Sequence, residues 1–160
     1  MAIRNWSELR GMPVMIPGEG RSAGTVEDFY YKLETNSIYA LRVKSVTFGY
    51  GYRVLSTSAI GSIERASITV ASDMMLIPEA NSGHLLELPT SSSLLSGVVK
   101  SENGDVVGKV SGILLATDPP VALRIAGYRL DNGKRFSANE VTEYDGNVMY
   151  ILNKVASGLA

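Results

Sequence analysis

The chain has 160 residues and a formal net charge of −1, and hydrophobic residues make up 45% of it. That is enough apolar surface for one compact unit or two small ones. It carries no cysteine, which excludes disulfides, thiolate catalysis and cysteine-held zinc or iron–sulfur centres. Residues 1–72 hold 8 Lys+Arg against 6 Asp+Glu, residues 73–93 hold none against 3, and residues 94–160 hold 7 against 7. No segment has the basic excess of a strong nucleic-acid binder. No run reaches the roughly 18 apolar residues of a membrane helix, and Met1–Trp6 lacks the basic-then-apolar pattern of a signal peptide. The expected location is therefore cytoplasmic, with membrane contact only through a partner or the protein surface.

In chain order, Ser7-Glu8-Leu9-Arg10-Gly11 predicts one helical turn, with Ser7 as cap and Gly11 as stop. Tyr39, Leu41 and Val43 alternate with Ala40, Arg42 and Lys44, the period of a half-buried strand with the first set inward. Ile68 and Val70 flank Thr69 in the same way. Residues 73–93 read as a linker with an apolar start, Met74-Met75-Leu76-Ile77-Pro78, which suits a strand or packing on a neighbour. Beyond it, Val121, Leu123 and Ile125, then Val148, Tyr150 and Leu152, repeat the alternation. Turn signals separate the runs: Pro17-Gly18-Glu19-Gly20, Glu34-Thr35-Asn36-Ser37, Glu102-Asn103-Gly104-Asp105, Asp131-Asn132-Gly133 and Asp145-Gly146-Asn147. Ser137-Ala138-Asn139-Glu140 predicts a second short helical turn.

The two ends of the chain resemble each other. Gly20, Gly24 and Val26 recur as Gly104, Gly108 and Val110, 84 residues on (108−24). Ala40-Leu41-Arg42-Val43 matches Ala122-Leu123-Arg124-Ile125 at 82 (124−42), and Ser56 matches Ser137 at 81. Many short strands in two similar sets predict an all-β fold: two small barrels in tandem with very short helical turns, residues 1–72 and 94–160, joined by 73–93.

Trp6-Ser7-Glu8-Leu9-Arg10-Gly11-Met12-Pro13-Val14, Gly24-Thr25-Val26-Glu27-Asp28-Phe29-Tyr30, Tyr39-Ala40-Leu41-Arg42-Val43 and the Ser56 to Ile60 turn together resemble the PRC-barrel family. The resemblance covers residues 6–72, and more loosely 94–155, where Gly112 stands in place of Asp28. It implies small β-barrels used as interaction domains. One family setting is the cytoplasmic cap subunit of the photosynthetic reaction centre, and another is a ribosome maturation factor. The chain departs from both. It lacks the membrane helix of the first, and its N-terminal half resembles the barrel itself, unlike the second.

Residue chemistry points away from catalysis. His84, the one histidine, sits in the polar Asn81-Ser82-Gly83-His84 stretch and reads as an exposed linker residue, which leaves no Ser-His-Asp triad and no multi-histidine metal site. Glu27, Asp28 and Asp118 lack the spacing of a metal-binding loop. Ser96 to Lys100 is one residue too long for Ser-x-x-Lys, and Gly18 to Gly24 has the wrong spacing for a dinucleotide loop. The expectation is a non-enzyme with no cofactor and no metal. Two features suit binding of a protein partner: Arg42 and Arg124, on the face opposite the apolar alternation, and the Phe48-Gly49-Tyr50-Gly51-Tyr52-Arg53 hairpin, where Tyr50, Tyr52 and Arg53 are residue types favoured at interfaces. Arg42 has Glu27 as its expected cross-strand acid. Direct nucleic-acid contact is not expected, and self-association is open. The function that fits is an adaptor or accessory subunit, with a ribosome-linked factor and a peripheral subunit of a membrane complex as alternatives.

Overall fold

The computed structural model of the protein describes residues 2–45, 51–85 and 87–159. The fold is all-β, a curled barrel-like sheet with a few short helices. In the first half the strands are β1 (Ile3–Asn5), β2 (Pro13–Ile16), β3 (Arg21–Lys32), β4 (Ser37–Ser45), β5 (Tyr52–Ser56), β6 (Ile60–Ile63), β7 (Ile68–Val70) and β8 (Leu76–Pro78). In the second they are β9 (Val98–Ser101), β10 (Val106–Ala116), β11 (Arg124–Leu130), β12 (Arg135–Ser137), β13 (Val141–Asp145) and β14 (Val148–Ile151). Two α-helices, α1 (Trp6–Leu9) and α2 (Asn153–Leu159), flank them. Among the described residues no helix is long and apolar enough to cross a membrane.

The strand pairing of the first half recurs in the second. β2 lies antiparallel to β3 with Val14 opposite Gly24, and β9 lies antiparallel to β10 with Val99 opposite Gly108. Val14 also faces Ile68 across a parallel pair, as Val99 faces Met149. On β3 and β4 the opposed pairs are Val26–Val43, Asp28–Arg42, Phe29–Leu41 and Tyr31–Ile38. On β10 and β11 they are Val110–Leu130, Gly112–Arg129, Ile113–Tyr128 and Leu115–Ile125. Even the bulges coincide, after Val26 and Val110 and again after Tyr30 and Leu114. Gly11 and Ser96 both adopt positive φ, +88° and +66°, and each donates its N–H to the carbonyl of Val26 or of Val110.

This register corrects one offset of the repeat. Arg42 corresponds to Arg129, not to Arg124, because β4 and β11 are related by 87 residues (129−42). The β3–β4 connection is residues 33–36, whereas the β10–β11 connection runs over 117–123 and contains a turn at Pro120–Ala122. The Ala-Leu-Arg-aliphatic run at 122–125 imitates the earlier strand from one turn too early.

Three further expectations on strand faces are corrected. Met149 and Ile151 are buried, and Val148, Tyr150 and Leu152 are not. The inward set is shifted by one residue, since Met149 must follow the position of Ile68. Tyr39 is exposed although Leu41 and Val43 are fully buried, because the bulge opposite it breaks the alternation between Ala40 and Ile38. Val121 is exposed and lies in the Pro120–Ala122 turn, whereas Leu123 and Ile125 are buried as their alternation implies. At the first turn the helix begins at Trp6 rather than after Ser7, and Asn5 precedes it without a side-chain capping bond. At the second, Ser137 does cap, accepting the Asn139 N–H.

One hydrophobic core runs through both halves, from Trp6 through Leu41 and Leu55 to Tyr128, Met149 and Leu159. Two devices join them. At the first, β4 pairs with β11 antiparallel: Ile38 N–H donates to Leu123 O at 3.0 Å and Ile125 N–H to Asn36 O at 2.8 Å. Ile38 and Ile125 are counterparts, and so are Asn36 and Leu123, so this joint matches itself across a local two-fold relation. At the second, each half lends its leading segment to the other. Ile3–Asn5 pairs with β10, while Thr90 bridges Tyr30 on β3 and Pro89 O accepts Tyr31 N–H at 3.1 Å.

Candidate functional site

The outer face of the β3–β4–β5–β8 sheet brings together two of the side chains that the sequence pointed to, Arg42 and Tyr52. Strand register dictates this: Asp28, Arg42, Val54 and Ile77 form one row across four strands, and Lys44 and Tyr52 are opposed in a neighbouring row. Residues opposed across strands share a face, so the Arg42 side chain emerges beside Tyr52. The guanidinium lies over the Tyr52 ring, 3.6 Å from its centroid. Such a stack contributes about 0.5–1 kcal/mol at an exposed site.

Arg42 takes its acid from an unexpected quarter. Its Nε donates to Glu79 Oε1 at 2.8 Å and its second arm to Oε2 at 3.4 Å, where Glu27 had been the expected partner. Glu79 belongs to the segment read as linker. The correction has a physical reason: β8 adds a fourth strand beside β5, so the chain leaves that strand directly above Arg42. Tyr30 Oη also donates to Glu79 Oε1, at 2.8 Å. The Arg42 guanidinium, then the Tyr30 hydroxyl, hold the Glu79 carboxyl below its ordinary value. Burial, then the same carboxylate, pushes the Tyr30 phenol up to about 12. The rest of the segment folds back over this face, where Leu85 and Leu88 pack on Tyr30, Ala40 and Val54.

A pH dependence follows. A carboxyl whose pKa is depressed on folding stabilises the fold fully above its unfolded value, and that stabilisation is lost as pH falls through the depressed one. Thermal melts between pH 7 and pH 3 should therefore show a loss of stability in the acid range just below the usual glutamate pKa of about 4.3. Glu79→Gln should remove that part of the pH dependence while lowering stability at pH 7.

The other binding candidates scatter. Arg53 lies next to Tyr52 and donates to Leu76 O at 3.0 Å, tying β5 to β8 rather than presenting itself outward. Arg124 is exposed at the joint between the halves, opposite Ser37. Five positions of β4 separate Ser37 from Arg42, about 17 Å at roughly 3.4 Å per residue, so the two arginines do not share a site. Phe48, Gly49 and Tyr50 lie outside the described residues. His84 is exposed. Among the described residues no three His, Cys, Asp or Glu side chains converge.

The apolar start of residues 73–93, which suits a strand or packing on a neighbour, forms a rim beside this face. Met74 is 75% exposed, Ile77 44%, Met75 39% and Tyr52 37%, while Leu76 between them is buried against Leu55. Met74 and Met75 are turned outward in the short helical turn Asp73–Met75, and Ile77 by the alternation of β8. Compared with models of known protein families the chain matches none, and no curated protein matches it.

Proposed function

We propose that the protein is a non-catalytic interaction module that captures a protein partner on the rim formed by Tyr52, Met74, Met75 and Ile77. The observation that carries this is an apolar, methionine-bearing surface at the edge strand β8, beside a guanidinium held in place over an aromatic ring. β8 pairs with β5 alone among the described strands, so its outer edge is open. β8 is three residues long and ends in Pro78, which blunts its edge against a further strand, so the partner meets the exposed Ile77 and methionine side chains. Methionine adapts its shape to a partner, and Tyr and Arg anchor interfaces. The resemblance to PRC-barrels, which serve as interaction domains, supports the same reading, and the near-neutral charge balance favours a protein partner over nucleic acid.

The test is a tagged capture from the native host followed by mass spectrometry. Met74→Asp, at a side chain 75% exposed, should leave the melting temperature nearly unchanged, Ile77→Asp, at a half-buried one, should lower it modestly, and the two together should abolish recovery of the partner. Tyr52→Ala should weaken capture by about 2 kcal/mol or more if it is a central anchor. Undiminished recovery with the double variant would remove the β8 rim from consideration.

A further inference from the structure

The register that relates the halves exposes one functional difference between them. Asp28 lies opposite Arg42, and its counterpart Gly112 lies opposite Arg129. In the first half the Asp28 carboxylate accepts both the backbone N–H and the hydroxyl of Ser91, tying the turn at Ser91–Ser93 to β3. In the second half the counterpart of Ser91 is Trp6, 85 residues earlier, and residue 112 has no side chain to offer it.

The place is a small, largely enclosed cavity of about 140 Å³, whose walls include Asn5, Trp6, Arg10, Gly112 and Arg129. Its chemistry is unbalanced. Neither the Arg10 nor the Arg129 guanidinium has an acidic or hydrogen-bonding partner among the described residues. Trp6 is 2% exposed, and its indole N–H is buried with no acceptor. The Asn5 side-chain oxygen is buried with no donor. A buried polar atom without a protein partner is costly, so each of these atoms needs a partner from water or from a ligand. Glu8, the nearest acid in sequence, is engaged by Arg4 at 3.1 Å and contacts Asn5 through the amide nitrogen.

We propose that this cavity binds a carboxylate with an adjacent N–H, the arrangement at the C-terminal end of a peptide. The carboxylate takes the place that Asp28 fills in the first half. It accepts from Trp6 Nε1 and the two guanidiniums, a match that arginine makes with two parallel bonds. The neighbouring amide N–H donates to Asn5 Oδ1. This site lies away from the β8 rim and does not depend on the reading given to that surface.

Trp6 is the one tryptophan of the chain, so its fluorescence reports the cavity directly. The full-length protein is titrated with N-acetylglycine, with sodium acetate and with sodium chloride at matched ionic strength. N-acetylglycine should give a saturable change, acetate one at least tenfold weaker, and chloride none. Arg129→Met should weaken the N-acetylglycine response at least tenfold. Gly112→Asp should abolish it, because a tethered carboxylate then fills the site. The added Cβ would meet the Arg129 side-chain end at 3.1 Å, which is free to swing aside, so this variant should fold and melt above wild type. Should it fail to fold, Arg129→Met and Arg10→Met decide. The site is overturned if neither carboxylate gives a saturable change, or if folded Gly112→Asp responds as wild type does. Equal responses to acetate and N-acetylglycine overturn the peptide-end assignment and leave a free carboxylate as the ligand.

Discussion

Neither half of the chain, produced without the other, should give a cooperatively folding monomer, whereas the two halves produced together and cut near residue 86 should co-purify one to one. The reasons are in the shared core. Trp6 of the leading segment packs edge-on against Phe29 with ring centroids 4.9 Å apart, while its backbone neighbours Ile3–Asn5 pair with β10 of the other half. Tyr31 of the first half bonds Ser93 of the second at 3.0 Å. Cutting the halves apart strips β10 of β1 and β3 of Thr90, and opens the β4–β11 joint. A unit of about 80 residues buries a small share of its surface even when intact, so losing these contacts should leave it below the few kcal/mol that sustain a fold. Circular dichroism and size exclusion of the separate and mixed halves would check this. A separate half that melts cooperatively as a monomer would show the exchange of leading segments to be dispensable.

The second large effect is expected at the glycines that first suggested the repeat. Gly24→Ala should destabilise by about 1–3 kcal/mol or more, the range of an overpacked site. A Cβ there would sit 2.3 Å from the backbone oxygen of Lys44 and 2.9 Å from a Val43 methyl, and neither can retreat without moving β4. Its counterpart Gly108 should tolerate alanine far better. There the obstacle is Asp131 Oδ1 at 2.8 Å, the end of a side chain that accepts only a long hydrogen bond, at 3.3 Å from Lys109 N–H. Paired denaturant melts of the two variants read the difference. Equal costs would mean that strand packing at the two glycines is alike and that the side-chain contact at Gly108 is as rigid as backbone.

Gly24 was legible from sequence because the backbone of β4 lies too close for any side chain, and Gly108 repeats the letter at the same place although only side chains crowd it. The strand pattern was legible for a similar reason, with Leu41, Val43, Leu123 and Ile125 buried as their alternation implied. Where reading failed, an invisible event lay between the letters. A bulge beside Tyr39 turned one residue outward, and the connection before β11 is three residues longer than its counterpart where the sequence match implied two shorter, which moves the arginine that matters from 124 to 129. The Arg42 site was half legible. Arg42 and Tyr52 were singled out from residue type, but Glu79 was hidden in a segment whose composition resembles a linker. That Met74–Pro78 suits a strand was legible, but its pairing with β5, which carries Glu79 over Arg42, is recorded in no local pattern. Helix α2 was missed likewise, since Asn153–Leu159 is too short to show a helical period and is held by burial of Ala156 and Leu159.

The self-matching joint between β4 and β11 is the contact by which two identical modules would associate as a pair. In such a pair every substitution enters both partners at once, and a residue useful on one side must be borne on the other. Linking the copies in one chain removes that constraint. Asp28 fastens its neighbour while Gly112 leaves a hollow; Tyr30 holds a carboxylate while Leu114 holds none; a strand follows β7 while a helix follows β14. The chain thus keeps the mechanical economy of a dimer and gives each half its own mutational history, so that one can specialise on its rim and the other in its hollow.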